Sequence, residues 1–181
     1  MTNLQKYTAT KILKNLQDTK QFAKEFLAEV RIQHPRVKSP ASYQDDKVVR
    51  NVILLQGELG AGKTTFSQFL LRELGARGPF TSPTFVIMKK YEVDKNKKEM
   101  PDGKIKTDFH FKDVYHLDCY RVDEESVLDL GWEEIIADQN NLILVEWPER
   151  IKKIWPKKYW LLKFKYNKDV KNGRIVEVNV V

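Results

Sequence analysis

The sequence predicts an α/β protein: a three-layer sandwich whose mostly parallel central sheet is extended by an antiparallel C-terminal hairpin. Three observations carry that expectation. The runs VVRNVILLQ at residues 48–56 and NNLILVEW at 140–147 are nearly continuous in aliphatic residues, as strands covered on both faces must be. Helical periodicity is interspersed with such strands along the chain, the pattern of strands wound between helices. The closing segments YWLLKFKY and RIVEVNVV flank the turn-forming NKDVKNG and read as a hairpin.

In order along the chain, residues 7–14 are a first strand candidate. In DTKQFAKEFLAEV, at 18–30, Phe22, Phe26 and Val30 recur every fourth position beside Ala23 and Leu27, one face of a helix. Asp18 can cap its start, with Gln21 three residues on completing a capping box. Residues 31–47 carry two prolines and no period, so they form a loop, with His34 exposed in it. After strand 48–56 and a glycine-rich turn, Phe66, Phe69, Leu70 and Leu74 mark the buried face of a helix that Gly75 ends. TFVIMKKYEV and FHFKDVYHLDCY are strands joined by a polar hairpin extension whose Pro-Asp-Gly is a turn signal. His116 reads as a packed strand residue and His110 as a hairpin residue. DEESVLDLGWEEIIA is helical with a break near Gly131, and Pro148 opens a short helix after the 140–147 strand.

Composition bounds the function. A chain of 181 residues with 41% hydrophobic content suits one α/β domain with its own core. No apolar run approaches the roughly 20 residues of a membrane-spanning helix, and the N-terminus lacks the apolar centre of a secretory signal, so a cytoplasmic protein with no membrane association is expected. The single cysteine, Cys119, excludes an internal disulfide framework; it reads as a small half-buried strand residue, although a lone thiol can be a nucleophile. The net charge of +7 is concentrated near the C-terminus, where residues 150–174 carry ten Lys and Arg against one acid, Asp169. Such a patch suits nucleic-acid phosphates, an acidic protein face, or plain solubility.

The turn after strand 48–56 carries the chemistry. Gly57-Glu58-Leu59-Gly60-Ala61-Gly62-Lys63-Thr64 fits G-x-x-x-x-G-K-[ST], preceded by a strand and followed by a helix, which makes the fold P-loop NTPase-like. The glycines let backbone N–H groups turn inward as an anion nest at a helix N-terminus. Lys63 supplies a point charge for the β- and γ-phosphates, and the Thr64 hydroxyl is a ligand for Mg²⁺. A second metal acid is expected at the end of a neighbouring apolar strand, and Glu146 directly follows Leu142-Ile143-Leu144-Val145. Asp118, at the end of another strand, lies on the edge where open α/β sheets bind ligands; it acts on the γ-phosphate water or the metal shell, or is an ordinary acid paired with Arg121.

ATP is favoured over GTP, because no D-x-x-G or N-K-x-D stands in place to sense the γ-phosphate or read guanine. A small-molecule kinase would need an arginine-bearing lid, and no arginine-rich segment is seen. A nucleic-acid binder with a vestigial loop is the third class, motivated by the basic C-terminal segment.

GELGAGKTTF, TSPTF at 81–85, HLDCYR at 116–121 and LVEWPER at 144–150, in this order, resemble the TsaE (YjeE) family of small bacterial ATPases required for threonylcarbamoyl modification of the tRNA adenosine next to the anticodon. The resemblance runs from the helix at Thr19 to the last hairpin. It implies a single P-loop ATPase domain over residues 1–181, with 31–47 and 92–112 as insertions longer than the usual family connections. It implies ATP and Mg²⁺ as cofactors, with Gly57 to Thr65 holding the triphosphate, Thr64 and Glu146 on the metal, and Asp118 as the acid of hydrolysis beside Lys63. Thr81, Ser82 and Thr84 fall in a switch-like segment facing the γ-phosphate. Thr19, Gly173 and Arg174 resemble segments around the adenine, and Trp147 either packs under the site or touches nucleotide or partner. The implied partner is a TsaB–TsaD heterodimer that slow ATP hydrolysis resets, with tRNA met indirectly or through the basic C-terminal segment, and with the isolated protein a monomer or weak oligomer.

Overall fold

A computed structural model describes residues 8–32, 51–81, 83, 86–94 and 111–181. Its elements are strand β1 (Thr8–Leu13), helix α1 (Leu16–Ile32), β2 (Val52–Gly57), α2 (Lys63–Glu73), β3 (Met88–Glu92), β4 (Asp113–Asp118), α3 (Glu124–Leu128), α4 (Trp132–Ala137), β5 (Asn141–Glu146), a 3₁₀ helix (Pro148–Ile154), β6 (Trp160–Tyr166) and β7 (Arg174–Val180). The strands form one sheet in the order β1-β7-β6-β2-β5-β4-β3. The middle four, β6, β2, β5 and β4, are parallel, while β7, β1 and β3 are added antiparallel at the flanks. The expected α/β sandwich with a C-terminal hairpin is therefore the fold observed.

Strand β2 explains the layering. Its side chains alternate between the two faces, so Ile53 and Leu55 join one buried cluster while Val52 and Leu54 join another. The first cluster lies under α1 and α2, where Phe22, Phe26, Phe66 and Phe164 meet at centroid distances of 5.3 to 6.0 Å. The second lies under α3, α4 and the 3₁₀ helix and is anchored by Trp132, whose indole N–H donates to Ile154 O at 2.9 Å. Aliphatic continuity in β2 and β5 is thus the mark of strands with both faces covered.

Local signals held where one residue controls the backbone. The five periodic positions of α1, Phe22, Ala23, Phe26, Leu27 and Val30, are all buried. Its cap is a correction: Asn15 Oδ1 accepts from Asp18 N at 2.9 Å, and Asp18 Oδ2 reaches back to Lys14 N at 2.8 Å. The helix starts a turn earlier than its apolar face, so Asp18 is the answering acid and not the cap. Gln21 instead donates to Glu25. At the end of α2, Gly75 adopts φ 75°, its N–H meets Arg72 O and Ala76 N meets Leu71 O, closing a Schellman turn. Gly131, at φ 80°, separates α3 from α4. The loop at 33–47, with His34, and the joint at 95–110, with the Pro-Asp-Gly turn and His110, lie outside the described residues.

Candidate functional site

The carboxyl ends of parallel strands β2, β5 and β4 come together at one edge of the sheet, in register: Leu55 pairs with Glu146, and Glu146 pairs with Asp118. The glycine-rich turn leaves β2 there. Gly57, Gly60 and Gly62 all hold positive φ, at 148°, 73° and 103°. Gly57 has a second reason to be glycine, because a Cβ would stand 2.4 Å from the Phe164 carbonyl oxygen.

Helix α2 begins immediately after. Gly62 offers no side-chain cap and the first turn carries no acid, so the orphan N–H groups of this helix end are not neutralised by a capping side chain. Lys63 is buried and folds back over the turn, donating to Gly57 O at 2.6 Å and Glu58 O at 2.9 Å. Its ammonium also lies 3.9 Å from the centre of the Trp147 ring. Burial holds the Lys63 ammonium below its ordinary pKa, opposed by the charges of Glu146, Glu149 and Asp118.

Thr64 and Glu146, 82 residues apart, are in direct contact: Thr64 Oγ1 donates to Glu146 Oε2 at 2.7 Å. The other oxygen, Oε1, stands 2.8 Å from His116 Nε2 and 3.4 Å from Ser67 Oγ. Glu146 is buried to 2% exposure at the end of β5. A hydroxyl and a carboxylate oxygen at hydrogen-bond distance form a hard-oxygen pair of the kind Mg²⁺ takes, with phosphates and water supplying the remaining ligands. Among the described residues no cluster of three or more His, Cys, Asp or Glu could hold a metal by itself.

Asp118 is buried at the end of β4, and its Oδ1 accepts from Tyr120 N at 3.0 Å. With Gly60, Gly62, Lys63, Thr64, Thr65, Glu146 and Trp147 it lines a cleft of about 440 Å³. Trp147 takes a left-handed backbone, φ 58°, and packs against Tyr120 at 4.8 Å between ring centres. Its two partners, a cation and an aromatic ring, place it in the wall of this cleft.

Across the loop lies a second cleft of about 680 Å³, lined by Thr19, Lys14, Asn15, Lys171, Asn172 and Arg174 together with the loop residues Gly60, Gly62 and Thr65. Arg174 Nη2 donates to Gly60 O at 3.0 Å, whereas the Thr19 hydroxyl is turned to Asn15 O within its own helix. The fold thus gathers Gly57 to Thr65, Asp118, Glu146, Thr19 and Arg174 around one turn. Thr81 is held against β3 instead, accepting from Lys89 Nζ and, through its carbonyl, from Tyr91. Ser82 and Thr84 lie outside the described residues.

Sequence reading missed three contributors. His116 was expected only to pack in a strand, yet it is bonded to Glu146; its alternation with Asp118 on β4 was the available signal, since period two puts both on one face. Ser67 sits one helical turn beyond Lys63, and Tyr166 reaches Leu59 O from the last hairpin. Cys119 is fully buried, and desolvation with the nearby Asp118 and Glu149 charges pushes its thiol up to about 12, so it is an inert packing residue. The basic C-terminal segment is partly offset by an acid from the next strand: Lys165 pairs with Glu177 at 2.6 Å.

This chain is similar to known proteins in sequence and in fold. The family model "Threonylcarbamoyl adenosine biosynthesis protein TsaE" matches residues 13–176. The tRNA threonylcarbamoyladenosine biosynthesis protein TsaE of Borreliella burgdorferi is 35% identical over 72% of this chain and 82% of its own length. The protein of that name from Bacillus subtilis is 38% identical over 59% of this chain and 56% of its own. A crystal structure of Bacillus subtilis YdiB superposes with a TM-score of 0.62 at 25% identity, covering 97% of this chain and 87% of that one. With a family model matching residues 13–176 and the glycine-rich loop, strand-end acids and hairpin in place, this chain belongs to the TsaE family of threonylcarbamoyl adenosine biosynthesis proteins.

Proposed function

We propose that the protein is a Mg²⁺-dependent ATPase that serves tRNA N6-threonylcarbamoyladenosine modification in the cytoplasm by acting on a TsaB–TsaD complex. The observation that carries the reading is the 2.7 Å contact of Thr64 with Glu146 beside an uncapped helix N-terminus and a buried lysine. ATP phosphates would take the loop N–H groups, and Lys63 would leave the carbonyls of Gly57 and Glu58 for the β- and γ-phosphates. Thr64 and Glu146 would hold Mg²⁺, which when bound draws off charge developing on the phosphoryl oxygens. Asp118 orients the attacking water from the end of β4, and Thr19 and Arg174 border the base side of the nucleotide.

Two variants test the site. Lys63→Ala should abolish ATP binding, whereas Glu146→Ala should bind nucleotide and lose Mg²⁺-dependent turnover. Wild-type hydrolysis by both would remove the assignment. The accessory role is tested by pull-down with a TsaB–TsaD complex with and without ATP; association that ignores nucleotide counts against it. The exposed lysines of the 3₁₀ helix and last hairpin support a second element, direct contact with tRNA, which predicts RNA binding that weakens steeply with salt. Tight RNA binding with no effect of ATP would favour a binder with a vestigial loop, and an acceptor molecule phosphorylated during ADP release would favour a small-molecule kinase.

A further inference from the structure

Glu146 has two oxygens and they do different things. Oε2 meets the Thr64 hydroxyl at 2.7 Å, while Oε1 faces His116 Nε2 at 2.8 Å. Ser67 is the weaker neighbour of Oε1, at 3.4 Å, because its hydroxyl is nearer Lys63 O at 3.1 Å and carries one proton. His116 and Glu146 are exposed to only 1% and 2%, so water does not substitute for this contact.

The pairing is built by register. In the parallel β4–β5 ladder His116 stands opposite Leu144 and Asp118 opposite Glu146, so His116 approaches Glu146 from the diagonal position on the same face. A carboxylate only accepts, so the imidazole must donate from Nε2. Nδ1 is buried with no hydrogen-bond partner among the described residues, as suits a bare lone pair and not an N–H.

We infer that His116 is a positioning residue of the metal site: by binding Oε1 it fixes the carboxylate of Glu146 so that Oε2 alone is presented to the cation beside Thr64. The inference rests on the Mg²⁺–ATP reading of the loop. A carboxylate free to rotate would alternate its oxygens and present the metal with a shifting partner, and partners that orient metal ligands in this way typically matter about 10- to 100-fold in metal affinity.

The test compares two amides of similar size. His116→Gln can place an N–H near the Nε2 position, whereas His116→Asn is one methylene too short. Binding of a fluorescent ATP analogue is followed while MgCl2 is titrated, and again in EDTA, with thermal melting as a control. Expected is a half-saturating Mg²⁺ concentration raised about 10- to 100-fold in His116→Asn and close to wild type in His116→Gln, with EDTA affinity unchanged in both. Equal behaviour of the two amides, or a parallel loss in EDTA, overturns the inference. If wild-type binding ignores Mg²⁺, the metal reading itself fails and this inference falls with it. A measurement on the unaltered protein stands beside the variants: ¹⁵N spectra of histidine-labelled protein should show His116 protonated at Nε2 and bare at Nδ1. The opposite tautomer cannot donate to Glu146 and also overturns it.

Discussion

Tyr166, the last residue of β6, donates its phenolic hydroxyl to the carbonyl of Leu59 at 2.7 Å, tying the tip of the glycine-rich loop to the C-terminal hairpin. Arg174, across the hairpin, donates to Gly60 O at 3.0 Å and lies 4.4 Å over the Tyr166 ring, so two neighbouring loop carbonyls are held by one stacked pair. Tyr166→Phe keeps the ring under Arg174 and removes only the hydrogen bond. Loop order would fall by the net worth of one such bond, about 0.5–1.5 kcal/mol, and nucleotide affinity by up to about tenfold. Calorimetric titration measures it. An affinity equal to wild type would mean that the loop does not need the Tyr166 hydrogen bond.

Two glycines of the loop should fail differently. A Cβ on Gly57 would lie 2.4 Å from Phe164 O, a backbone atom of the adjacent strand, whereas on Gly62 the nearest atom is Arg174 Cγ at 4.0 Å. Gly57→Ala must therefore part β2 from β6 as well as strain its own backbone, and Gly62→Ala only carries the cost of a left-handed conformation, about 1–2 kcal/mol. The melting temperature of Gly57→Ala should fall well below that of Gly62→Ala. Similar melting temperatures would place Gly57 away from β6.

The parts of this protein legible in its sequence are those whose signal is local. Continuous aliphatic residues marked β2 and β5, and the spacing Gly57 to Thr64 marked the loop because each fixed position answers a backbone or charge requirement of its own. Glu146 was readable for the same reason, since a carboxylate directly after a buried strand has one place to be. What the sequence concealed was contact across the sheet. The spacing of His116 from Asp118 gives their shared face but not the reach to Glu146, which depends on the β4–β5 register, and nothing near Tyr166 points to Leu59, 107 positions away. The Asp18 cap failed by one turn because α1 begins before its apolar face does.

Trp147 should report on the loop. Its ring centre is 3.9 Å from the Lys63 ammonium, and that cation would leave it on reaching phosphate. Intrinsic fluorescence should therefore change on adding ATP. The change should vanish in Trp147→Phe, since Trp132 and Trp160 are buried in the core and Trp155 packs on Tyr159 away from the cleft. Persistence of the full signal in Trp147→Phe would show that another tryptophan senses nucleotide.

Cys119 supplies a pH test with a definite sign. Burial, with the charges of Asp118 and Glu149, raises its thiol from 9.0 to about 12 in the folded protein. Between those values the unfolded chain has released a proton that the native state still holds, so the thiol favours unfolding increasingly as pH rises. Its contribution is fully present below pH 9 and declines by about 1.4 kcal/mol per pH unit above it, until the folded value is reached. Other groups titrate in the same range, so the readout is a difference: the stability of wild type minus that of Cys119→Ala, from urea unfolding at pH 8 and pH 10. That difference should shrink at pH 10. The native thiol should also resist alkylation at pH 8 and react once the protein is unfolded. A pH-independent difference, or rapid native labelling, would mean that Cys119 is not sealed behind β4 and β5.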